Sequence, residues 1–443
     1  MSHGLIPALA LLAWIPLAVY WFSRHPTPKG VTVALLSAAL FLPVHAGFDL
    51  PLLPTLGKIN LSFGVVLFLL LAQRPRLVRS ARLFQGPELL FGVLVLGHLG
   101  TWITNRDPLV YGVWERIALP GLSLKDALSG VIWDAFGILF PFLIGRIAFQ
   151  TTKDVRSFMR VWVGFCCIYA VLILFEVRFS PQLHRWVYGY HAFPDFGQAM
   201  RWGGYRPLVF TYHGLVLAFM MFLGLVFAAS LYRARRPTLG IKGPGLVWAL
   251  TGLLVLVKST GVLVYSIVLI PLQLLTKPRT QLRVAVVVAL IALTYPYTRS
   301  QNLFPTDKVL ELALSVSAER AGSLGFRFDN EDVLLEKVSE RSMFGWGGYG
   351  RNRVYDDWGK DISVTDGYWI IRFGAGGLVG MLVPFLWLTL PVLLGAWRLR
   401  RCLAPPDRPV GAGLVLALAM CAIEQLPNAM TNGIPFVIAG AVS

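Results

Sequence analysis

Long apolar runs follow one another along most of the chain. Residues 4–22, GLIPALALLAWIPLAVYWF, and residues 280–298, TQLRVAVVVALIALTYPYT, are each long enough to cross a bilayer as a helix. Such runs predict about twelve transmembrane helices, centred near residues 13, 39, 66, 96, 140, 167, 220, 250, 267, 290, 385 and 418. The short runs around Lys258 and the interruption QLPNAMTNGIP at 425–435 leave about eleven to thirteen spans open.

This pattern predicts an all-α, polytopic integral membrane protein in three parts. Residues 1–298 supply the first ten transmembrane helices, with an outward loop at 179–207 that is rich in arginine and aromatic residues. Residues 299–367 form a long, partly helical extracytoplasmic loop, and residues 368–443 form the C-terminal transmembrane helices. A loop of this length is expected to carry function or to be disordered, and its apolar and aromatic content favours function.

Lysine and arginine orient the predicted helices, because short cytoplasmic loops retain an excess of them. Every second connection is basic: RPRLVRSAR at 74–82, RIAFQTTKDVR at 146–156, RARRPTLGIK at 233–242, KPRTQLR at 277–283 and RLRRCLAPPDR at 398–408. We therefore expect these loops in the cytoplasm. The 179–207 and 299–367 loops are expected on the outer side of the membrane.

Composition supports residence in lipid and limits the partners. The chain is 56% hydrophobic and 14% charged, with a mean hydropathy of +0.64, which would leave a soluble globule short of polar surface. Its net charge of +17 could indicate nucleic-acid binding. Much of that charge lies in the short basic loops, however, where membrane topology and anionic lipid headgroups account for it. We expect membrane lipids as partners and no nucleic acid.

The first outward loop, SPQLHRWVYGYHAFPDFGQAMRWGGYRP, mixes aromatic residues with arginine. Taken singly, its aromatic residues are typical of a membrane-interface belt. Arg201 and Arg206 differ, because glycine or aromatic residues surround each and each lies just before a helix. The pattern also places His213 about two turns inside the next span, where an ionisable group is a functional candidate.

The second outward loop contains two amphipathic stretches and a cluster of cations. DKVLELALSVSAER and DNEDVLLEKVSERSM set apolar residues at helical spacing against charges, with Asp329 or Asn330 as a natural N-cap. The cations include Arg327, Arg341, Arg351 and Arg353. Several guanidinium groups together can hold a diphosphate. The glycine-rich stretch FGWGGYGRNR is by itself a weak signal, equally typical of a tight turn.

Two blocks carry a family resemblance. FRFDNEDVLLEKVSERSMFGWGGYGRNR, followed by TDGYWIIRFGAGGLVGML, resembles the characteristic region of the O-antigen ligase and O-antigen polymerase superfamily of bacterial membrane glycosyltransferases. RWGGYRPLVFTYHGLVLAFM is similar to that family's arginine-containing entry into a middle span. VKSTGVLV, with Lys258, lies where family members often have a basic residue next to Ser or Thr.

The resemblance implies an activity at the outer face of the bacterial inner membrane. An oligosaccharide would pass from undecaprenyl diphosphate to a glycan or lipid acceptor during surface polysaccharide assembly. The transfer would invert the anomeric carbon and require neither a cofactor nor a metal ion. The candidate diphosphate-binding residues are Arg201, Arg206, Lys258, Arg327, Arg341, Arg351 and Arg353. The earliest connection predicted to face outward, FDLPLLPTLGKIN at 48–60, carries only Asp49, which also argues against a metal site.

The expected base departs from the family pattern. The ligases use a histidine on the long loop, whereas no histidine follows His213 in this chain. Asp366 in TDGYW is the first candidate base, with an ordinary helix N-cap as an equal alternative, and Glu340 is the second. His213 is a further catalytic candidate. The rival function is a polysaccharide or lipid-linked oligosaccharide flippase, which would usually contain internal repeats that this sequence does not display.

Overall fold

The computed structural model describes residues 4–51, 53–193, 195–402, 405–429 and 433–443, and most of them are helical. The helices of the first half are α1 (Leu5–Arg24), α2 (Thr27–Phe41), α3 (Lys58–Gln73), α4 (Pro75–Ser80), α5 (Leu90–Thr104), α6 (Leu124–Asp134), α7 (Phe140–Ala148), α8 (Thr152–Phe179) and α9 (Leu183–Tyr188). Those of the second half are α10 (Gly214–Arg233), α11 (Gly245–Leu256), α12 (Thr260–Leu275), α13 (Pro278–Ser300), α14 (Thr306–Val316), α15 (Ala318–Ser339), α16 (Tyr368–Cys402), α17 (Arg408–Glu424) and α18 (Ile434–Val442).

Seven helical segments in the described ranges are long and apolar enough to cross a membrane. They are Leu5–Arg24, Pro87–Thr104, Leu124–Ala148, Thr152–Phe179, Gly214–Arg233, Pro278–Ser300 and Tyr368–Leu399. Four shorter apolar helices accompany them: α2, α3, α11 and α12. The chain is therefore a multi-pass helical membrane protein, as the hydropathy pattern predicts. Each of the predicted span centres lies within a helix.

The few strands form three short antiparallel hairpins, all in connections predicted to face outward. They pair β1 (Gly47–Phe48) with β2 (Leu56–Gly57), β3 (Leu109–Tyr111) with β4 (Ile117–Leu119), and β5 (Met200–Arg201) with β6 (Gly204–Tyr205). Each hairpin pairs two strands of one connection, and the N–H groups of Val113 and Trp114 between β3 and β4 also donate to the carbonyl of Asp357 in the long loop. The strands are therefore local features of these connections.

Helix α10 lies at the centre of the bundle. Nearly all of its residues are buried, whereas most of those of α1 are not, and it packs against α8, α11, α12 and α17. Its sequence, GLVLAFMMFLGLVFAASLYR, is apolar on every face, as expected of a helix surrounded by other helices. Because α10 also packs against α17, residues near the ends of these two helices lie close together inside the bundle.

Contacts between the basic loops place these loops at one end of the bundle. Asp407 lies within ion-pair distance of Arg156, at 3.6 Å, and of Arg236, at 3.4 Å. Ser80 of another basic loop hydrogen-bonds to Gln150. The hairpins and the long loop lie at the opposite ends of their helices. Basic loops that are predicted to lie on the same side of the membrane thus contact one another in the structure.

The long loop is mostly helical, with a boundary that differs from the prediction. Helix α15 runs without interruption through Asp329 and Asn330, so neither residue caps a helix there. Asn330 instead accepts a hydrogen bond from the backbone N–H of Val364 at 2.7 Å. The buried Arg299 at the end of α13 contacts Glu331 at 3.2 Å and Asp332 at 2.8 Å, which fixes α15 over the bundle.

The glycine-rich stretch is a backbone partner for a break in α16. The helix departs from helical geometry at Gly377, where φ is +60°. The N–H groups of Trp346 and Gly347 donate to the carbonyls of Gly374 and Ala375 at 2.9 and 2.8 Å. In a lipid-embedded bundle an interrupted helix must find such partners for its exposed backbone groups. The glycines are required because two backbones meet here without side chains between them.

Replacing Gly345 by alanine should destabilise this junction. Gly345 has φ +68°, and an added Cβ would lie 2.5 Å from the backbone nitrogen of Gly377. We expect Gly345→Ala to lower the thermal unfolding midpoint of the purified protein in detergent, with a cost of about 2 kcal/mol or more. Gly348→Ala is the matched control, since a Cβ there would meet no atom within 4 Å. Equal midpoints for the two variants would contradict this account.

Candidate functional site

Two buried charges fix the irregular segment 206–213 that leads into α10. The carboxylate of Glu176 accepts hydrogen bonds from the N–H groups of Leu208 and Val209 at 2.8 and 2.7 Å. On the other side, Lys58 Nζ donates to the carbonyl of Phe210 at 2.8 Å. Residues 206–211 are buried in the protein, and buried backbone without helical hydrogen bonds needs such partners. Residues on this segment are therefore held in defined positions.

Arg206 begins this segment and is 5% exposed. Its Nε has no hydrogen-bond partner among the described residues. Gly214 makes room for it, because a Cβ at that position would lie 2.4 Å from Arg206 Nε. Burial lowers the pKa of Arg206 to about 10, and the charges of Arg201 and Arg320 act in the same direction. A buried guanidinium without a counter-charge is costly and marks a place for an anion.

Arg206 opens onto a cavity of about 800 Å³ at the ends of the helices opposite the basic loops. The wall is built from the 198–215 segment, the start of α12, α15, the residues before α16 and the end of α17. Its charged and titratable lining residues are Arg201, Arg206, His213, Lys258, Tyr212, Tyr265, Glu319, Arg320, Arg327, Asp366 and Glu424. The volume is that of a site for a small or medium-sized ligand.

Six of the residues predicted from the sequence meet in this cavity. They are Arg201, Arg206, His213, Lys258, Arg327 and Asp366, which the chain supplies from four separate regions. Lys258 lies in the tight connection between α11 and α12, where its φ is +55°, and its Nζ donates to the carbonyl of Arg201 at 3.0 Å. Arg201 in turn contacts Glu319 at 3.3 Å on the exposed rim.

Asp366 lies just before α16, and Arg327 of α15 faces it. Arg327 Nε donates to Asp366 Oδ2 at 3.1 Å, and the Asp366 side chain is 40% exposed. Helix α16 begins at Tyr368, whose N–H donates to the carbonyl of Gln425 rather than to Asp366. The carboxylate of Asp366 is thus engaged by a cation in this structure.

His213 lies at the N-cap of α10 and not two turns inside the span as predicted from hydropathy. Its Nδ1 accepts a hydrogen bond from the N–H of Leu215 at 3.1 Å, so the proton of the neutral ring resides on Nε2, which donates to Gln198 Oε1 at 3.3 Å. Burial lowers the pKa of His213 to about 4, followed by the charges of Arg206, Arg201 and Arg327. The ring is therefore a neutral hydrogen-bonding group at pH 7.

The remaining predicted residues lie outside this cavity. Glu340 follows α15 on the surface, 3.8 Å from Lys337. Arg341 contacts Asp107 at 3.0 Å, and its Nη1 also donates to Asn105 Oδ1 at 2.8 Å. These contacts attach the end of α15 to the loop after α5. Neither Glu340 nor Arg341 lines the cavity.

The two arginines of the glycine-rich stretch hold the loop together. Arg351 is 1% exposed and donates to the carbonyls of Trp346 and Pro120 at 3.1 and 2.8 Å. Arg353 donates to the carbonyl of Ser363 at 3.2 Å and lies 3.8 Å from Asp361. Most of these donors bond to carbonyls of irregular backbone, in the stretch itself at Trp346 and in the segments at Pro120 and Ser363, where no helix supplies a partner. The structure therefore does not bring them to the cavity.

Sequence reasoning did not assign five of these lining residues to the site: Tyr212, Tyr265, Glu319, Arg320 and Glu424. Glu424 had a usable signal, because it is the only acidic residue within the apolar stretch 409–424. An ionisable residue inside a span is a functional candidate by default. Tyr265 has no such signal, since a tyrosine in an apolar helix is ordinary. Arg320 is one cation among several in its loop.

In the described ranges no group of three or more His, Cys, Asp or Glu side chains is placed to hold a metal ion. Most of the charged side chains that line the cavity are cationic. Arg206, Lys258 and Arg320 have no carboxylate within ion-pair distance among the described residues, whereas Arg201 and Arg327 each have one. Such a set can bind an anion with more than one phosphate group.

No protein-family model matches this chain, and no curated protein matches it in sequence.

The lowered pKa of His213 predicts a loss of stability in acid. The unfolded chain takes up the proton near the ordinary pKa of 6.5, and the folded chain only near 4. This residue therefore weakens the fold as the pH falls from 6.5 toward 4. His213→Asn keeps an N-cap side chain but cannot titrate. We expect a smaller fall of the unfolding midpoint between pH 6.5 and 4.5 in His213→Asn than in wild type; parallel curves would refute the assignment.

Proposed function

We propose that this protein is a membrane glycosyltransferase that takes an oligosaccharide from undecaprenyl diphosphate and attaches it to a glycan or lipid acceptor. The observation that carries the proposal is Arg206, a buried guanidinium without a counter-charge in a cavity with four other cations. The resemblance of the two sequence blocks to O-antigen ligases and polymerases supports the same conclusion. Surface polysaccharide assembly is the process in which such an enzyme would act.

The cavity cations would hold the diphosphate of the donor. Arg206, Lys258 and Arg320 bring charge without internal counter-charges, so that they gain most from an incoming anion. Arg201 and Arg327 can also bind the ligand, because Glu319 contacts only Nη1 of Arg201 and Asp366 contacts only Nε of Arg327, so that the other N–H groups of each guanidinium are left for an anion. Five cations around one diphosphate would stabilise the charge that develops as the glycosidic bond breaks.

The proposed setting is the bacterial inner membrane with about twelve spans. The basic loops would face the cytoplasm, and the cavity, at the opposite ends of the helices, would then lie at the outer face. A polyprenyl carrier could then keep its lipid chain in the bilayer while its diphosphate entered the cavity. Membrane lipids, the lipid-linked donor and the acceptor are the proposed partners.

A deletion strain separates this proposal from a flippase. Loss of a polymerase should leave single lipid-linked repeats on the outer face, and loss of a ligase should leave long chains on the carrier. Loss of a flippase should instead retain lipid-linked glycan on the inner face. An unchanged profile of surface glycan and lipid-linked intermediates would count against all three.

Arg206→Ala should abolish transfer without unfolding the protein. We expect the release of undecaprenyl diphosphate from a purified lipid-linked oligosaccharide to fall by about 100-fold or more, the scale seen when one group that stabilises developing charge is removed. Arg206→Lys should recover part of the rate, because lysine restores charge but not bidentate geometry.

Arg353→Ala is the matched control for Arg206→Ala. It removes another arginine from an outer loop, but one whose donors contact Ser363 and Asp361 rather than the cavity. We expect its activity to stay within about threefold of wild type, since it removes no group from the charged site. If Arg353→Ala lost as much activity as Arg206→Ala, the cavity would not be the site.

A further inference from the structure

Glu424 is a buried carboxyl group in the wall of the cation-lined cavity. It is the last residue of α17 and is 3% exposed. Asn428 Nδ2 donates to Glu424 Oε1 at 2.7 Å, and the hydroxyl of Tyr265 is its other side-chain partner. Both partners are neutral. Among the described residues no Lys, Arg or His lies within ion-pair distance of Glu424.

The other acidic groups of the cavity are differently placed. Asp366 is paired with Arg327 at 3.1 Å, and Glu319 is paired with Arg201 at 3.3 Å on the rim. A carboxylate held by a guanidinium is a weaker base, because the cation favours its charged form. The candidate histidine, His213, already uses Nδ1 to accept the N–H of Leu215. Glu424 is therefore the lining group best prepared to accept a proton.

The position of Glu424 relative to Asp366 is fixed by backbone contacts. The N–H of Tyr368 donates to the carbonyl of Gln425 at 2.9 Å, which attaches the start of α16 to the end of α17. A Cβ on Gly367 would lie 2.2 Å from the carbonyl oxygen of Leu426, so the two chains touch closely. Glu424 is thus held on a rigid junction facing the same cavity as Arg206.

We propose that Glu424 is the general base of the transfer reaction, a role that rests on the proposed glycosyltransferase function. Its carboxylate removes the proton from the acceptor hydroxyl as that oxygen forms a bond to the anomeric carbon of the donor. The bond from this carbon to the diphosphate oxygen breaks, and its electron pair leaves with undecaprenyl diphosphate between the cavity cations. The proton remains on Glu424 until solvent takes it. Asp366 positions Arg327.

The test compares Glu424→Gln with Asp366→Asn and uses two nucleophiles. The probes are the lipid-linked oligosaccharide isolated from a deletion strain, its natural hydroxyl acceptor in the same membranes, and sodium azide. Azide is an anion and attacks the anomeric carbon without losing a proton, giving a glycosyl azide and undecaprenyl diphosphate. A missing base therefore affects the hydroxyl reaction and spares the azide reaction.

We expect Glu424→Gln to slow transfer to the hydroxyl acceptor by about 100-fold or more, the usual contribution of a general base, with the azide reaction within about threefold of wild type. Asp366→Asn should slow both reactions to a similar, smaller extent, because it perturbs Arg327. A hydroxyl rate near wild type in Glu424→Gln would overturn the inference. An equal fall in both reactions would also overturn it, since that indicates a structural role.

Glu424→Asp covers the case in which the glutamine variant does not fold. It keeps a carboxylate but withdraws it by one methylene group, so we expect the hydroxyl reaction to fall by about tenfold or more while azide transfer persists. A rate equal to wild type with both nucleophiles would overturn the inference. If the wild-type protein transferred the oligosaccharide to neither nucleophile, that result would instead contradict the proposed glycosyltransferase function.

Discussion

The site depends on two buried charges that hold a stretch of chain without regular structure. Glu176 in α8 receives the N–H groups of residues 208 and 209, and Lys58 in α3 donates to the carbonyl of residue 210. Because residues 206–211 are buried, water cannot satisfy these backbone groups, and the side chains of the protein do so instead. With them satisfied, the segment can end at His213, where α10 begins, and can carry Arg206 into the cavity without following a helix.

A second irregular region satisfies its backbone groups mainly with other backbone groups. Where α16 departs from helical geometry at Gly377, the glycine-rich stretch supplies N–H groups to the carbonyls of Gly374 and Ala375. Arg351 then satisfies carbonyls of that stretch and of the loop at Pro120. A motif that resembles a ligand-binding loop in the sequence therefore connects α15 to the interrupted helix α16. Its arginines donate to backbone carbonyls, and other segments of the chain supply the cations of the cavity.

The cavity assembles from helix ends that are distant in sequence. Arg206 precedes α10, Lys258 lies between two short helices, Arg327 is on α15, and Glu424 ends α17. Their convergence gives cations with incomplete counter-charges and one carboxyl group with neutral partners. Desolvation increases the strength of charge interactions in such a place, which suits a reaction that builds negative charge on a leaving group. The same desolvation makes an anion-free Arg206 costly to maintain.

The sequence by itself determined the membrane class, the position of the apolar helices and the alternation of basic loops, because hydropathy and charge act locally along the chain. It also identified six residues that meet in the cavity, including Arg206, which stands out as an arginine among glycine and aromatic residues just before a helix. Only the tertiary structure decided that Arg351 faces backbone carbonyls, that His213 caps a helix and that Glu424 faces the cations. The physical reason is that a side chain's partners depend on which helix ends lie together, and a local pattern carries no information about that.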